Sequence, residues 1–293
     1  MTRARLVRAL AALVLLGGCT SAPAPAPAPA PPPPPRFASY VALGDSFTAA
    51  PLVPTTDLAR GCLRSDRNYP ALLARRLDIS DVTDVSCSGA TTEDLRDRQR
   101  TVRGTTVPPQ LRALDPDTDL VTLGIGGNDF ALFSSLVRTC TRLGGVDAEG
   151  APCTERLRAQ GVDLLGQTRL IGDRVADSLE QIRRRAPRAR VVLVGYPRLV
   201  PRADTCPRRL PLAPGDYDYG ARLGTALNLA LRSAARRAGA DFVDLYPASQ
   251  GHDICAEEPW VNGRRTDRSA ALAYHPFAAG MVAVADEVEQ TLS

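Results

Sequence analysis

Three short pieces of the chain carry residue types that together could perform acyl transfer. Gly44-Asp45-Ser46 follows the apolar run Tyr40 to Leu43, Gly126-Gly127-Asn128-Asp129 follows Leu120 to Leu123, and His275-Pro276 lies near the C-terminal end. They offer a hydroxyl nucleophile, an amide that can donate to an oxyanion, and a base. A serine hydroxyl is a weak nucleophile until a histidine takes its proton, and the oxyanion that follows needs donors already in place. Only His252 and His275 could supply the imidazole. His275 precedes Pro276 and a segment whose Met281, Val284, Val288 and Leu292 form an apolar helical stripe, which would anchor it. His252, in Gly251-His252-Asp253 near Cys255, reads instead as a polar group of a disulfide-held loop.

The elements that must position these residues follow from periodicity. Apolar runs at Tyr40–Leu43, Val82–Val85, Leu120–Ile125, Arg190–Val194 and Asp241–Leu245 predict buried strands. Helical spacing predicts helices over Tyr69–Leu77, Leu170–Ile182 and Tyr219–Arg232. Strands alternating with helices imply an α/β fold, a parallel sheet of about five strands covered on both faces in three layers. Ligands bind such sheets outside the carboxyl ends of the strands, where Ser46, Gly89 and Asn128 fall. Arg138 to Gly166 and Val200 to Gly215 are expected to be irregular excursions.

Residues 1–18 read as an export signal, with Arg3, Arg5 and Arg8 before the apolar stretch Ala9 to Leu16, too short to span a bilayer as a stable helix. Leu16-Gly17-Gly18-Cys19 resembles a bacterial lipobox, so Cys19 is the expected lipidation site. Residues 19–36 would then be the lipidated cysteine and an Ala/Pro-rich stalk in polyproline II. At about 3.1 Å per residue it would reach up to roughly 50 Å. The domain proper is expected over 37–293, as a monomer at the outer face of the cell membrane or secreted.

The formal charge of +4 falls to 4 − 3 = +1 without the three signal arginines, and every basic residue is arginine, scattered among acids. Such a distribution lacks the concentrated footprint of a nucleic-acid binder. Apart from Cys19 there are six cysteines, an even number that favours disulfides in an exported chain. Spacing alone leaves the pairing open. The sequential set, Cys62 with Cys87, Cys140 with Cys153 and Cys206 with Cys255, is the expectation, because each pair then brackets a loop beside the candidate site. None of the spacings suits a zinc site, and no metal or cofactor is expected.

With Ser88-Gly89-Ala90-Thr91-Thr92 added between the first and third pieces, the chain resembles the SGNH hydrolases, the superfamily of GDSL lipases and esterases, across its whole mature length. The resemblance implies a flavodoxin-like fold and ester hydrolysis through an acyl-enzyme. It gives Ser46 the role of nucleophile and His275 that of base, with an oxyanion hole built from the Ser46 and Gly89 N–H groups and the Asn128 amide. The implied substrate is an ester, which a lipid would satisfy. A carbohydrate O-deacetylase would use the same machinery, and an inactive relative could bind acyl chains or cell-wall polymer. One position departs from the pattern. Three residues before the histidine, where most members carry the triad aspartate, stands Leu272. A histidine base still needs an acceptor for its second ring N–H. The Leu272 main-chain carbonyl is the first candidate, with Asp253 and Asp267 as competing acids. Trp260 is either a wall of the site or packing.

Overall fold

The computed structural model describes residues 36–147 and 149–293. The export signal, Cys19 and nearly all of the stalk lie outside the described residues. The chain runs through β1 (Ser39–Gly44), α1 (Ser46–Ala49), α2 (Tyr69–Arg76), β2 (Asp81–Asp84), the short strands β3 (Gln99–Arg100) and β4 (Thr106–Val107), and β5 (Leu120–Gly124). It continues through α3 (Leu132–Ser134), a π-helical run at Ser135–Cys140, α4 (Thr141–Val146), α5 (Pro152–Ala159), α6 (Leu164–Arg185), β6 (Arg190–Val194), α7 (Pro214–Ala238), β7 (Asp241–Val243), α8 (Leu245–Ala248) and α9 (Ala278–Leu292).

Five strands form a parallel sheet in the order β2-β1-β5-β6-β7. This is the doubly wound order of a flavodoxin-like fold. Alternation along each strand divides the core in two. Val41, Leu43, Val121, Leu123 and Leu193 pack with Ile171, Val175 and Leu179 of α6 and Leu223, Leu227 and Leu231 of α7. Tyr40, Ala42, Leu120, Val192 and Val243 face Tyr69 and Leu73 of α2 and Met281, Val284 and Val288 of α9 on the other side. The three central strands are buried on both faces, which is why they read as unbroken apolar runs, whereas edge strand β2 alternates between exposed and half-buried.

Each predicted strand is present to within two residues at either end; the predicted helix Tyr69–Leu77 matches α2 to within one residue, and the other two predicted helices are the middles of the longer α6 and α7. The stretch Arg138 to Gly166 differs from expectation: much of it is helical. Its glycines suggested a loop, yet Pro152 opens α5, and Gly144 sits inside α4 because a side chain there would collide with the backbone at Ala213. The disulfide Cys140–Cys153 joins the two pieces. Cys62–Cys87 and Cys206–Cys255 are also bonded, giving the sequential set.

Candidate active site

At the end of β1 the chain turns directly into α1, which puts Ser46 in the first helical position with only 7% of its surface exposed. Asp45 makes this turn. Its N–H donates to the Gly124 carbonyl (2.9 Å) and its carboxylate caps the helix by accepting the Phe47 N–H (2.8 Å). Gly44, just before, is held by one buried side chain: Gln110 Oε1 accepts its N–H (2.8 Å) and Gln110 Nε2 donates to its carbonyl (2.9 Å).

Gly89 sits in a loop tied to the same strand end. The Cys87 N–H donates to the Gly44 carbonyl (2.9 Å), the Ser88 N–H to the Cys62 carbonyl (2.9 Å), and Gln99 Nε2 to the Ser88 carbonyl (3.0 Å). At φ +82 this position is one that side-chain-bearing residues seldom adopt. Among the described residues no protein acceptor takes the Ser46 or Gly89 N–H, which leaves both available to a ligand.

Asn128 follows β5. Its Nδ2 donates to the Ala90 carbonyl (2.9 Å), one residue past Gly89, and the amide retains a second hydrogen for a ligand. Asp129 locks the two loops together. Its buried carboxylate accepts from the Thr92 N–H (3.0 Å) and hydroxyl (2.5 Å), and from Arg174 (3.4 Å).

His275 lies beside the residue that follows Ser46, with the Phe47 and His275 ring centroids 5.9 Å apart. Its loop is joined to the first by the Leu272 N–H, which donates to the Pro51 carbonyl (3.3 Å). The orienting carbonyl belongs to Ala273, at 2.7 Å from Nδ1, and this corrects the expectation of Leu272. Residues 272–275 form a turn with Tyr274 at φ 60, so the Leu272 carbonyl accepts the His275 N–H (3.1 Å) and an Asn262 side-chain N–H (3.3 Å) instead. A carbonyl can only accept, so Nδ1 carries the hydrogen and Nε2 presents its lone pair. Burial pushes the imidazolium of His275 below the usual value of 6.5, and the Ala273 carbonyl only partly opposes this.

The competing groups are engaged elsewhere. The Asp253 carboxylate accepts the Cys255 N–H (2.9 Å), and exposed Asp267 accepts from the N–H and hydroxyl of Ser269 (2.9 and 2.6 Å). His252 stacks on Trp260 (4.8 Å between ring centroids) and bonds through Nδ1 to the Glu258 carbonyl (2.7 Å). Trp260 joins Phe47, Tyr196, Pro276 and Met281 around an apolar crevice.

Sequence reasoning missed Tyr196. Its buried hydroxyl donates to Asp45 Oδ2 (2.5 Å) and accepts the Gly127 N–H (2.9 Å), bridging the Ser46 turn to the Asn128 turn. Burial raises the Asp45 carboxyl from 3.8 to about 7, with the Tyr196 and Phe47 bonds opposing the shift and Asp129 adding to it. Burial and the neighbouring Asp45 also hold the Tyr196 phenol well above 10, so it stays protonated as the donor. The position of Tyr196 just beyond β6, at the carboxyl end of a central strand, was the signal available.

The chain resembles known proteins over nearly all the described residues. Residues 42–283 match the GDSL-like Lipase/Acylhydrolase family. Lipase 2 of Streptomyces coelicolor is 38% identical over 260 residues, covering 86% of this chain and 85% of that protein. Among solved structures, phospholipase A1 from Streptomyces albidoflavus superposes with a TM-score of 0.71 at 27% identity, covering 87% of this chain and 99% of that one. An extracellular lipase from Streptomyces rimosus gives 0.69 at 26% identity, covering 86% and 99%. The chain belongs to the GDSL-like lipase/acylhydrolase family and is a carboxylic ester hydrolase.

Proposed function

We propose that Ser46 and His275 act as a dyad that hydrolyses esters through an acyl-enzyme. The Ser46 hydroxyl attacks the acyl carbonyl while His275 Nε2 takes its proton. The resulting oxyanion accepts from the Ser46 and Gly89 N–H groups and the second Asn128 N–H. Collapse passes the proton from His275 to the leaving alkoxide, and water then repeats the cycle on the acyl-enzyme. The observation that carries this reading is the 2.7 Å bond from His275 Nδ1 to the Ala273 carbonyl, which sets the tautomer without an acid. It also removes the main argument for an inactive acyl-binding protein, since the absent aspartate has a replacement.

The test is labelling by a serine-reactive phosphonate. Modification at Ser46 in the parent and its loss in both Ser46→Ala and His275→Ala are expected. An unlabelled but folded parent would refute the dyad.

The same reading places the protein outside the cytoplasm, anchored through lipidated Cys19. The lipobox-like Leu16–Cys19 and the Ala/Pro stretch support the anchor, while three disulfides and the extracellular Streptomyces rimosus relative support export. Cys19→Ala should yield protein that is unprocessed or released. Normal membrane anchorage of that variant would overturn it.

A further inference from the structure

Next to the His275 segment lies a pocket lined by Arg208, Arg209, Arg264 and Arg265, together with Asn262 and Gly263, and by no acidic residue. Among the described residues none of the four guanidinium groups has a salt bridge to a carboxylate. Only Arg209 is spent on the fold, donating to the Ala256 carbonyl at 2.6 Å. Four like charges lining one pocket without a counterion make a site for an anion. Guanidinium forks match phosphate oxygens two at a time.

The pocket is built rather than incidental. The Arg264 N–H donates to the Arg209 carbonyl (2.9 Å), and the chains approach so closely that any side chain at Gly263 would meet that carbonyl at 2.8 Å. The Arg209 N–H donates to the carbonyl of Cys206, which is bonded to Cys255. The same framework continues into the base. The Asn262 N–H donates to the His275 carbonyl (2.9 Å) and the Tyr274 N–H to the Gly263 carbonyl (3.1 Å).

Position relative to the reaction decides which half of a substrate the pocket meets. The base returns its proton to the leaving oxygen, so the alcohol half lies toward His275, and the carbonyl oxygen lies toward Gly89 and Asn128. We infer that the Arg208–Arg209–Arg264–Arg265 pocket binds a phosphodiester carried by the alcohol half of the ester, as in a glycerophospholipid. This rests on the roles given above to Ser46 and His275.

The test compares dihexanoylphosphatidylglycerol with dihexanoylglycerol, both as monomers, in the parent and in a variant carrying Arg264→Gln and Arg265→Gln. The expected result is a loss of about tenfold or more in kcat/KM for the phospholipid and little change for the neutral diester. Retained hydrolysis of p-nitrophenyl butyrate shows the variant to be folded with its catalytic groups intact. Should the double variant misfold, Arg208→Gln alone, at an exposed loop position, gives the same comparison.

Equal losses on both diesters, or none, would overturn the inference. Inorganic phosphate separates a headgroup site from a site for free anion. Competition against the phospholipid but not against p-nitrophenyl butyrate supports the headgroup reading. Phosphate binding without preference between the two diesters refutes it. If the parent hydrolyses none of these esters, the catalytic reading fails, and calorimetric binding of dihexanoylphosphatidylglycerol to parent and variant still decides the pocket.

Discussion

The hydroxyl of Tyr196 donates to the carboxylate of Asp45 at 2.5 Å across 151 residues of sequence. Because the same oxygen accepts the Gly127 N–H, one phenol spaces the turn that carries Ser46 from the turn that carries Asn128. In the proposed mechanism these turns carry the nucleophile and an oxyanion donor, which must hold their separation to a fraction of an ångström for both to meet one carbonyl. In that mechanism Tyr196 is a positioning residue, acting through Asp45 and Gly127.

Tyr196→Phe should lower kcat roughly tenfold with little change in KM, since it loosens geometry rather than removing a substrate contact. It should also lower stability by about 1 to 3 kcal/mol, the usual consequence of leaving a buried acceptor and donor unpaired. Steady-state kinetics with thermal denaturation check both. Full turnover in a destabilised variant would leave the bridge a purely structural role.

The main-chain orientation of His275 makes a different demand. His275→Ala should lose nearly all activity, while Ala273→Gly, which keeps the carbonyl, should keep most of it. Asp253→Asn and Asp267→Asn should each stay within about threefold of the parent, against the ~10⁴ loss known for a triad aspartate. A collapse in either variant, with the fold intact by circular dichroism, would establish a triad and name its acid.

The sheet was legible in sequence, and so were the positions of the candidate reacting groups, because both leave local traces. Central strands buried on two faces read as apolar runs, and Ser46, Gly89 and Asn128 each sit one to a few residues beyond such a run or at a tight turn. What supports those groups leaves no local trace. Gln110, Tyr196 and Thr92 act through contacts 66, 151 and 37 residues away in sequence. The choice of Ala273 over Leu272 depended on which carbonyl the turn consumes, which required Tyr274 to be left-handed. No composition rule asks that of a tyrosine. The arginine pocket was hidden for a related reason. Its two pairs are separated by more than fifty residues and joined only by tertiary hydrogen bonds, so along the chain the arginines looked scattered.

Asn128→Ala should reduce kcat by about 10²- to 10³-fold, the range for one lost oxyanion donor. It also frees the Ala90 carbonyl, so a modest fall in stability should accompany it. Measuring kcat and KM separately distinguishes the readings: an effect confined to KM would make Asn128 a ground-state contact.

The two shifted groups near Ser46 predict opposite pH effects that can be measured apart. His275 is pushed below 6.5, so it stays neutral, and able to accept the Ser46 proton, at lower pH than a free imidazole would. The acidic limb of kcat/KM should accordingly have its midpoint below 6.5, and a midpoint above 7 would contradict a dyad with no carboxylate partner. Asp45 is raised, to about 7 from 3.8, so between those values the folded protein holds a proton that the unfolded chain has released. Stability from this group is complete below about pH 4 and declines as pH rises toward 7, at up to about 1.4 kcal/mol per pH unit. Asp45→Asn should make that decline shallower than in the parent; in both proteins the raised Asp84 carboxyl adds to the decline and the lowered His275 opposes it. Urea denaturation at several values between about pH 4 and 7.5 measures the slope, and superimposable slopes in parent and variant would show that Asp45 is ionised throughout.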